Sequence, residues 1–193
     1  MKLVVGLGNP GPQYRNHRHN AGFMVLDLLH ERASASEWRE KYVGLAARGV
    51  LAGHEVTLLK PQTFMNLSGR AVQRAVQQLG LRPQDILVVH DELDLAWGDV
   101  RAKQGGGHGG HNGLRDISAS IGADYARVRV GIGRPTQGTV EHFVLTPFSS
   151  EESTTLGDVL TRAADAAELA IAQGIEAAMN KTNMKPGAKK PKG

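Results

Sequence analysis

Apolar positions along this chain follow two alternating patterns. Short runs rich in β-branched residues recur between segments whose apolar residues return every three or four positions, which predicts an α/β domain. Residues 2–8, with Leu3, Val4 and Val5 ahead of Gly6 and Leu7 between Gly6 and Gly8, read as a buried strand. The next segment is helical, with Phe23, Leu26, Leu29 and Ala33 on one face. Strands are expected at about 42–51 and 54–60, with Gly53-His54 at a tight turn; such a hairpin makes the sheet mixed. A helix over about 67–79 turns Ala71, Val72, Ala75, Val76 and Leu79 inward and stops at Gly80. Residues 85–90 form another strand, Leu114, Ile117 and Ile121 mark a helix, and 127–132 a last strand. The final helix is expected to be the longest. It opens at Ser149 with Glu152 three residues on, as in a capping box, and runs to about 179 with Leu156, Val159, Leu160, Ala163, Ala167, Ala170 and Ile171 facing in. No internal repeat is present. The expected fold is a single three-layer αβα domain around a mixed, mostly parallel β-sheet, spanning residues 1–180.

Composition narrows this picture. The chain has 193 residues, 40% of them apolar, enough for one core that needs no metal or disulfide to hold it together. Cysteine is absent, which excludes disulfide scaffolds, thiolate zinc sites and cysteine nucleophiles and favours a reducing cytoplasm. No apolar run approaches the roughly 20 residues of a membrane helix, and the first is too short for a signal peptide. Five lysines in residues 181–193, with no acid, exceed the whole net charge of +4, so the basic excess is a tail. Rich in proline and glycine, that tail is expected to be disordered, a solubilising end or a loose hold on a polyanion.

Several motifs invite chemistry. Gly6-Leu7-Gly8-Asn9-Pro10-Gly11 is a literal G-x-G-x-x-G, but Pro10 and Pro12 impose a turn where a dinucleotide site needs a helix N-terminus, and no strand-end acid follows. The glycines of 105–110 could cradle an anion, yet no Gly-Lys pair exists to make a Walker A loop. His108 and His111, with His90, Asp91, Glu92 and Asp94 upstream, could assemble a metal site, but their spacing matches no metal motif. Ser68 lacks the first glycine of a nucleophile elbow. Asn66, Ser68 and Asn112 could each cap a helix. In an open α/β sheet, however, Asn9, His19, Asn66 and Asp91 follow strands or precede helices at the carboxyl ends, and Asn112 opens a helix beside them. A histidine steered by an aspartate there is a general base, and neutral asparagines hold a peptide-like substrate and polarise its carbonyl. The pattern points to water attacking an acyl group without metal or covalent intermediate.

Six ordered blocks also carry a resemblance: residues 6–14, Arg18-His19-Asn20-Ala21-Gly22, residues 60–69, His90-Asp91-Glu92-Leu93-Asp94-Leu95, residues 105–114 and residues 129–135. Together they closely resemble the bacterial peptidyl-tRNA hydrolase family over about residues 1–180. The resemblance implies a monomeric cytoplasmic hydrolase, without cofactor or metal, that cleaves the ester between peptide and tRNA and recycles tRNA from stalled ribosomes. It implies His19 as base, Asp91 as the carboxylate that keeps it basic, and Asn9 as the residue that tells a blocked from a free α-amino group. Tyr14, Phe64, Met65, Asn66, His111 and Asn112 match positions around the acceptor end or the peptidyl part, with Phe64 as a stacking face. Lys103 and Arg129 match the clamp on the tRNA 5′ phosphate. His17 departs from the family's usual threonine and is expected to point to solvent. A non-catalytic RNA-binding relative of the same fold is the alternative.

Overall fold

In the computed structural model, which describes residues 1–183, one seven-stranded sheet runs through the molecule. Its strands are β1 (Leu3–Gly6), β2 (Arg39–Lys41), β3 (Gly44–Leu51), β4 (His54–Pro61), β5 (Ile86–Glu92), β6 (Val100–Gln104) and β7 (Ala126–Gly131), in the order β2-β3-β4-β1-β5-β7-β6. The four central strands β4, β1, β5 and β7 are parallel, and β2, β3 and β6 add antiparallel edges. The mixed, mostly parallel sheet is therefore as expected.

Side-chain alternation along β1 divides the core in two. Leu3, Val5 and Leu7 face α2 (Ser68–Leu79) and α3 (Asn112–Ile121), while Val4 faces α1 (Ala21–Arg32) and α6 (Leu156–Gln173). Successive crossovers thus cover opposite faces, and the connections diverge at β1, between β4 and β5, which opens a crevice at the carboxyl ends. Helix α1 reaches that crevice because Gly22 has no side chain. A Cβ there would strike the Leu7 N and Val89 O atoms, so any larger residue would push the helix off β1 and β5.

Four expectations need correction. The single long final helix is α5 (Ser150–Ser153), α6 and α7 (Ile175–Thr182). The Ser149–Glu152 capping box forms as expected, but Gly174 at φ 93° breaks the axis, and the Thr154 hydroxyl bonds back to Glu151 O at 2.7 Å where the first break occurs. Strands β2 and β6 carry mostly charged or polar residues and sit at the two sheet edges, so they lack the apolar run that marks a buried strand. Neither Asn112 nor Asn66 caps a helix: His111 caps α3 with its ring, and Leu67 precedes α2 without a side-chain bond. Residues 181–182 of the expected tail continue α7, where Thr182 Oγ1 accepts from Ala102 N at 2.9 Å; residues 184–193 lie outside the described residues. A short helix, α4 (Val140–Val144), precedes α5. Among the described residues no helix is long and apolar enough to cross a membrane.

Candidate active site

The crevice holds a buried chain of polar groups. His19 lies in the 3-10 turn Arg18–Asn20 that leads into α1, and its Nδ1 is 2.8 Å from Asp91 Oδ2 at the end of β5. The other carboxylate oxygen, Oδ1, is 2.9 Å from His111 Nε2. Backbone geometry settles the His111 tautomer, because its Nδ1 accepts from Gly113 N at 3.1 Å and Leu114 N at 3.3 Å. A nitrogen that accepts carries no proton, so the proton of a neutral ring is on Nε2 and is donated to Asp91. Ionised Asp91 accepts from both rings. His19 then holds its proton on Nδ1, and its Nε2 keeps a lone pair with no partner among the described residues.

Electrostatics follow from this arrangement. Burial disfavours a charged His19 ring, but the charge and hydrogen bond of Asp91 override it and hold the pKa above the ordinary histidine value. Burial likewise opposes ionisation of Asp91; the two imidazoles outweigh it and hold the carboxyl well below the usual carboxylate range. Behind them His90 is fully buried, its Nδ1 donating to Asp91 O at 2.7 Å, and burial first, then the nearby His111, pushes its pKa down to about 3.

Asparagines form the next layer. Asn9 and Asn20 pair reciprocally: Asn9 N donates to Asn20 Oδ1 at 2.9 Å and Asn20 Nδ2 donates to Asn9 O at 3.0 Å. Asn9 Oδ1 accepts from Met65 N at 2.7 Å, which orients the amide and leaves its NH2 group unpaired among the described residues. The residue that secures Asn9 is thus Asn20, to which the sequence alone gave no role although it stands beside His19. Asn66 and Asn112 are exposed on the rim, and Asn112 Oδ1 accepts from Arg115 Nη1 at 3.3 Å. Met65 is buried beneath them. Phe64 is 58% exposed, with Tyr14 edge-on at 6.3 Å between ring centroids. His17 does not point freely to solvent: its ring stands edge-on to Tyr14 at 5.5 Å, its Nδ1 is covered and unpartnered, and burial lowers its pKa.

Lys103 and Arg129 lie apart from this cluster, on β6 and β7. The antiparallel register pairs Lys103 with Arg127 and Arg101 with Arg129, so four cations share one face of the sheet edge. The family resemblance pointed to two of the four. The period-two spacings Arg101-x-Lys103 and Arg127-x-Arg129 are the signal for the others, obscured because β6 has no apolar run of its own. Arg129 has a weak ion pair with Glu92 at 3.6 Å. Arg127, buried, donates to Gly105 O and, at 2.8 Å, to Gly107 O, fixing the glycine-rich loop above Lys103. Gly106, at φ 101°, closes over both cations, where a Cβ would collide with Lys103 Nζ and Arg127 Nη2.

The metal cluster considered from sequence assembles differently. His108 bonds within its own loop, its Nδ1 accepting from Gly110 N at 3.0 Å, and His19 takes its place near Asp91 and His111. Donor atoms of these three lie within 4.8 Å of one another. The ring proton on His111 Nε2 occupies the atom that would have to bind an ion, so the arrangement suits hydrogen bonding better than ligation.

Comparison with known proteins decides the family. The family model described as peptidyl-tRNA hydrolase matches residues 3–191. The chain belongs to the peptidyl-tRNA hydrolase family. The Citrifermentans bemidjiense peptidyl-tRNA hydrolase is 52% identical over 180 residues, covering 93% of this chain and 96% of that one. The Sorangium cellulosum peptidyl-tRNA hydrolase is 48% identical over 96% of this chain and 85% of its own. The crystal structure of peptidyl-tRNA hydrolase from Acinetobacter baumannii superposes with a TM-score of 0.90 at 39% identity, covering 97% of each chain. The family's fold is therefore shared along nearly the whole length, and the six sequence blocks lie within the matched span.

Proposed function

We propose that this chain hydrolyses the ester between a peptide, or an N-blocked amino acid, and tRNA, with His19 as general base. One observation carries the mechanism: His19 Nδ1 is bound to Asp91, and its Nε2, without a partner among the described residues, can take a proton. Water held by Nε2 attacks the ester carbonyl as the proton passes to the ring, and the carboxylate stabilises the imidazolium that results. The same proton then goes to the departing ribose oxygen. His111 keeps the second Asp91 oxygen occupied, so the carboxylate cannot turn away from His19.

Asn9 presents its NH2 group to the substrate, with its oxygen held by Met65 N. A blocking acyl group supplies a carbonyl to accept that donor, whereas a free ammonium supplies only more donors and a charge. Asn66 and Asn112 hold the peptidyl or acceptor-end groups across the mouth, with Met65 and His111 below, and Phe64 with Tyr14 offers a stacking surface to a terminal base. Lys103 and Arg129 bind the 5′ phosphate, supported by Arg101 on the same sheet face. The reaction needs no cofactor, and the enzyme acts as a cytoplasmic monomer, a setting that the absence of cysteine suits. The non-catalytic RNA-binding alternative is disfavoured, because such a protein has no use for a buried base with a free lone pair.

The test is release of peptide from an N-blocked aminoacyl-tRNA. Loss of turnover in His19→Ala, with tRNA binding retained and wild-type turnover undiminished by EDTA, is the expected result. Chelation that abolishes activity, restored by a divalent ion, would replace this reading with a metallohydrolase.

A further inference from the structure

Arg18 directly precedes His19, yet its side chain turns away from the crevice. It is 8% exposed, and it meets the segment from α4 to α5, more than 120 positions along the chain. Its Nη2 is 2.6 Å from Glu152 Oε1, its Nη1 donates to Thr146 Oγ1 at 2.6 Å and to Phe143 O at 3.4 Å, and the guanidinium lies 4.1 Å from the Phe143 ring centroid. Its backbone N donates to Thr146 O at 3.0 Å, and His17 forms a bridge with Pro147. Glu152 is itself fixed, because the same Oε1 accepts from Ser149 N at 2.8 Å in the capping box.

These contacts give the 3-10 turn two independent anchors. Asn20 ties its inner end to the β1 loop through Asn9, and Arg18 ties its outer end to the α4–α5 segment. His19 is suspended between them; among the described residues its side chain has one hydrogen bond, from Nδ1 to Asp91, and a tilted contact with the His111 ring at 5.0 Å between centroids. We propose that Arg18 is a positioning residue for the reaction, holding the His19 turn in register with Asp91 by clamping it to the segment Phe143–Glu152. The planar guanidinium suits this role because it satisfies a carboxylate, a hydroxyl and a backbone carbonyl at once and lies against an aromatic face, a combination that a lysine ammonium cannot reproduce. The cost of a lost clamp is misplacement of the base, and a shift of about 1 Å in a reacting group can lower turnover roughly 100-fold.

This inference rests on His19 being the base. Its test compares Arg18→Met, Arg18→Lys and the milder Thr146→Val with wild type, in peptide release and by 15N NMR of the His19 ring. Arg18→Met is expected to lower kcat by about 10- to 100-fold with KM within about threefold. Its His19 titration should move down toward the ordinary histidine value as contact with Asp91 loosens. Arg18→Lys should recover only part of the loss, and Thr146→Val should show a smaller decrease with the fold intact. If Arg18→Met or Thr146→Val melts at lower temperature yet, well below its midpoint, keeps wild-type kcat and His19 titration, the clamp is merely structural and the proposal is overturned. If Arg18→Met does not fold, Thr146→Val decides alone: wild-type kcat and titration there also overturn it. Full activity in His19→Ala would overturn the underlying reading instead, so the two failures are distinguishable.

Discussion

The two polar regions of this molecule are built on opposite principles. Around Asp91 most polar groups are buried and engaged, His19 on one carboxylate oxygen, His111 on the other, Asn20 on Asn9. Along the rim and the β6–β7 edge, Phe64, Asn66, Asn112 and Lys103 stand partly or wholly in solvent with few internal bonds. Among the described residues, His19 Nε2 and the Asn9 NH2 group are left without a partner in the first region, whereas in the second the rim side chains and Lys103 are largely open, with Arg127 held by loop carbonyls and Arg129 by Glu92. Chemistry requires a single atom held in place with a tuned proton affinity. Recognition of a long polyanion requires many donors that give up little internal bonding when a ligand arrives.

The contrast makes the two regions fail differently. Removing the ring in His19→Ala should lower turnover by about 10²- to 10⁴-fold while tRNA affinity stays near wild type; a matching loss of affinity would erase the division. Asp91→Asn should lower turnover by roughly 100-fold, because an amide can accept from one ring but must present a donor to the other. It should also shift the acid limb of the rate profile to lower pH. Asp91 raises the His19 pKa against burial, so without that charge the ring stays neutral, and able to act as base, further into acid.

Stability provides a third separation. Folded His90 titrates at about 3, against 6.5 when unfolded, so from pH 6.5 down to about 3 the unfolded chain binds a proton that the folded one refuses. Its contribution is therefore complete above pH 6.5 and lost as pH falls. Between pH 7 and pH 5 that loss should reach about 2 kcal/mol, and His90→Asn should remove it from the pH dependence measured by urea unfolding. An unchanged dependence would show that His90 protonates freely in the native state. Rim variants should be indifferent to this acid range. Phe64→Ala should weaken binding of an acceptor-end oligonucleotide by about 1 kcal/mol or slightly more, the scale of one base stacked on an aromatic ring, without moving kcat. The smallest change is expected for Lys103→Ala: a decrease of about one in the salt dependence of tRNA binding. A salt slope unaltered in that variant would remove Lys103 from the phosphate contact.

Much of this organisation is legible in the residues alone. Buried strands announce themselves because their residues are apolar on both faces, and Gly80 and the Ser149–Glu152 pair mark helix ends through purely local geometry. Where sequence patterns mislead, the determining interactions are not local. Strand β6 is polar because it lies at an edge, and it forms by pairing with β7 some 25 residues later, which no window of its own residues reveals. His111 takes the cap expected of Asn112 because its other nitrogen is bound to Asp91, a preference set twenty positions away.

By itself, then, the order of residues determined the fold class, the family and the side chains gathered at the strand ends, since periodicity and short motifs are written in neighbouring positions. Tertiary structure alone decided which nitrogen of each imidazole carries its proton, which oxygen of Asp91 each ring meets and how Arg18 grips a distant segment. The physical reason is that protonation and hydrogen-bond direction depend on partners within about 3 Å, and folding supplies those partners from parts of the chain that are remote in sequence.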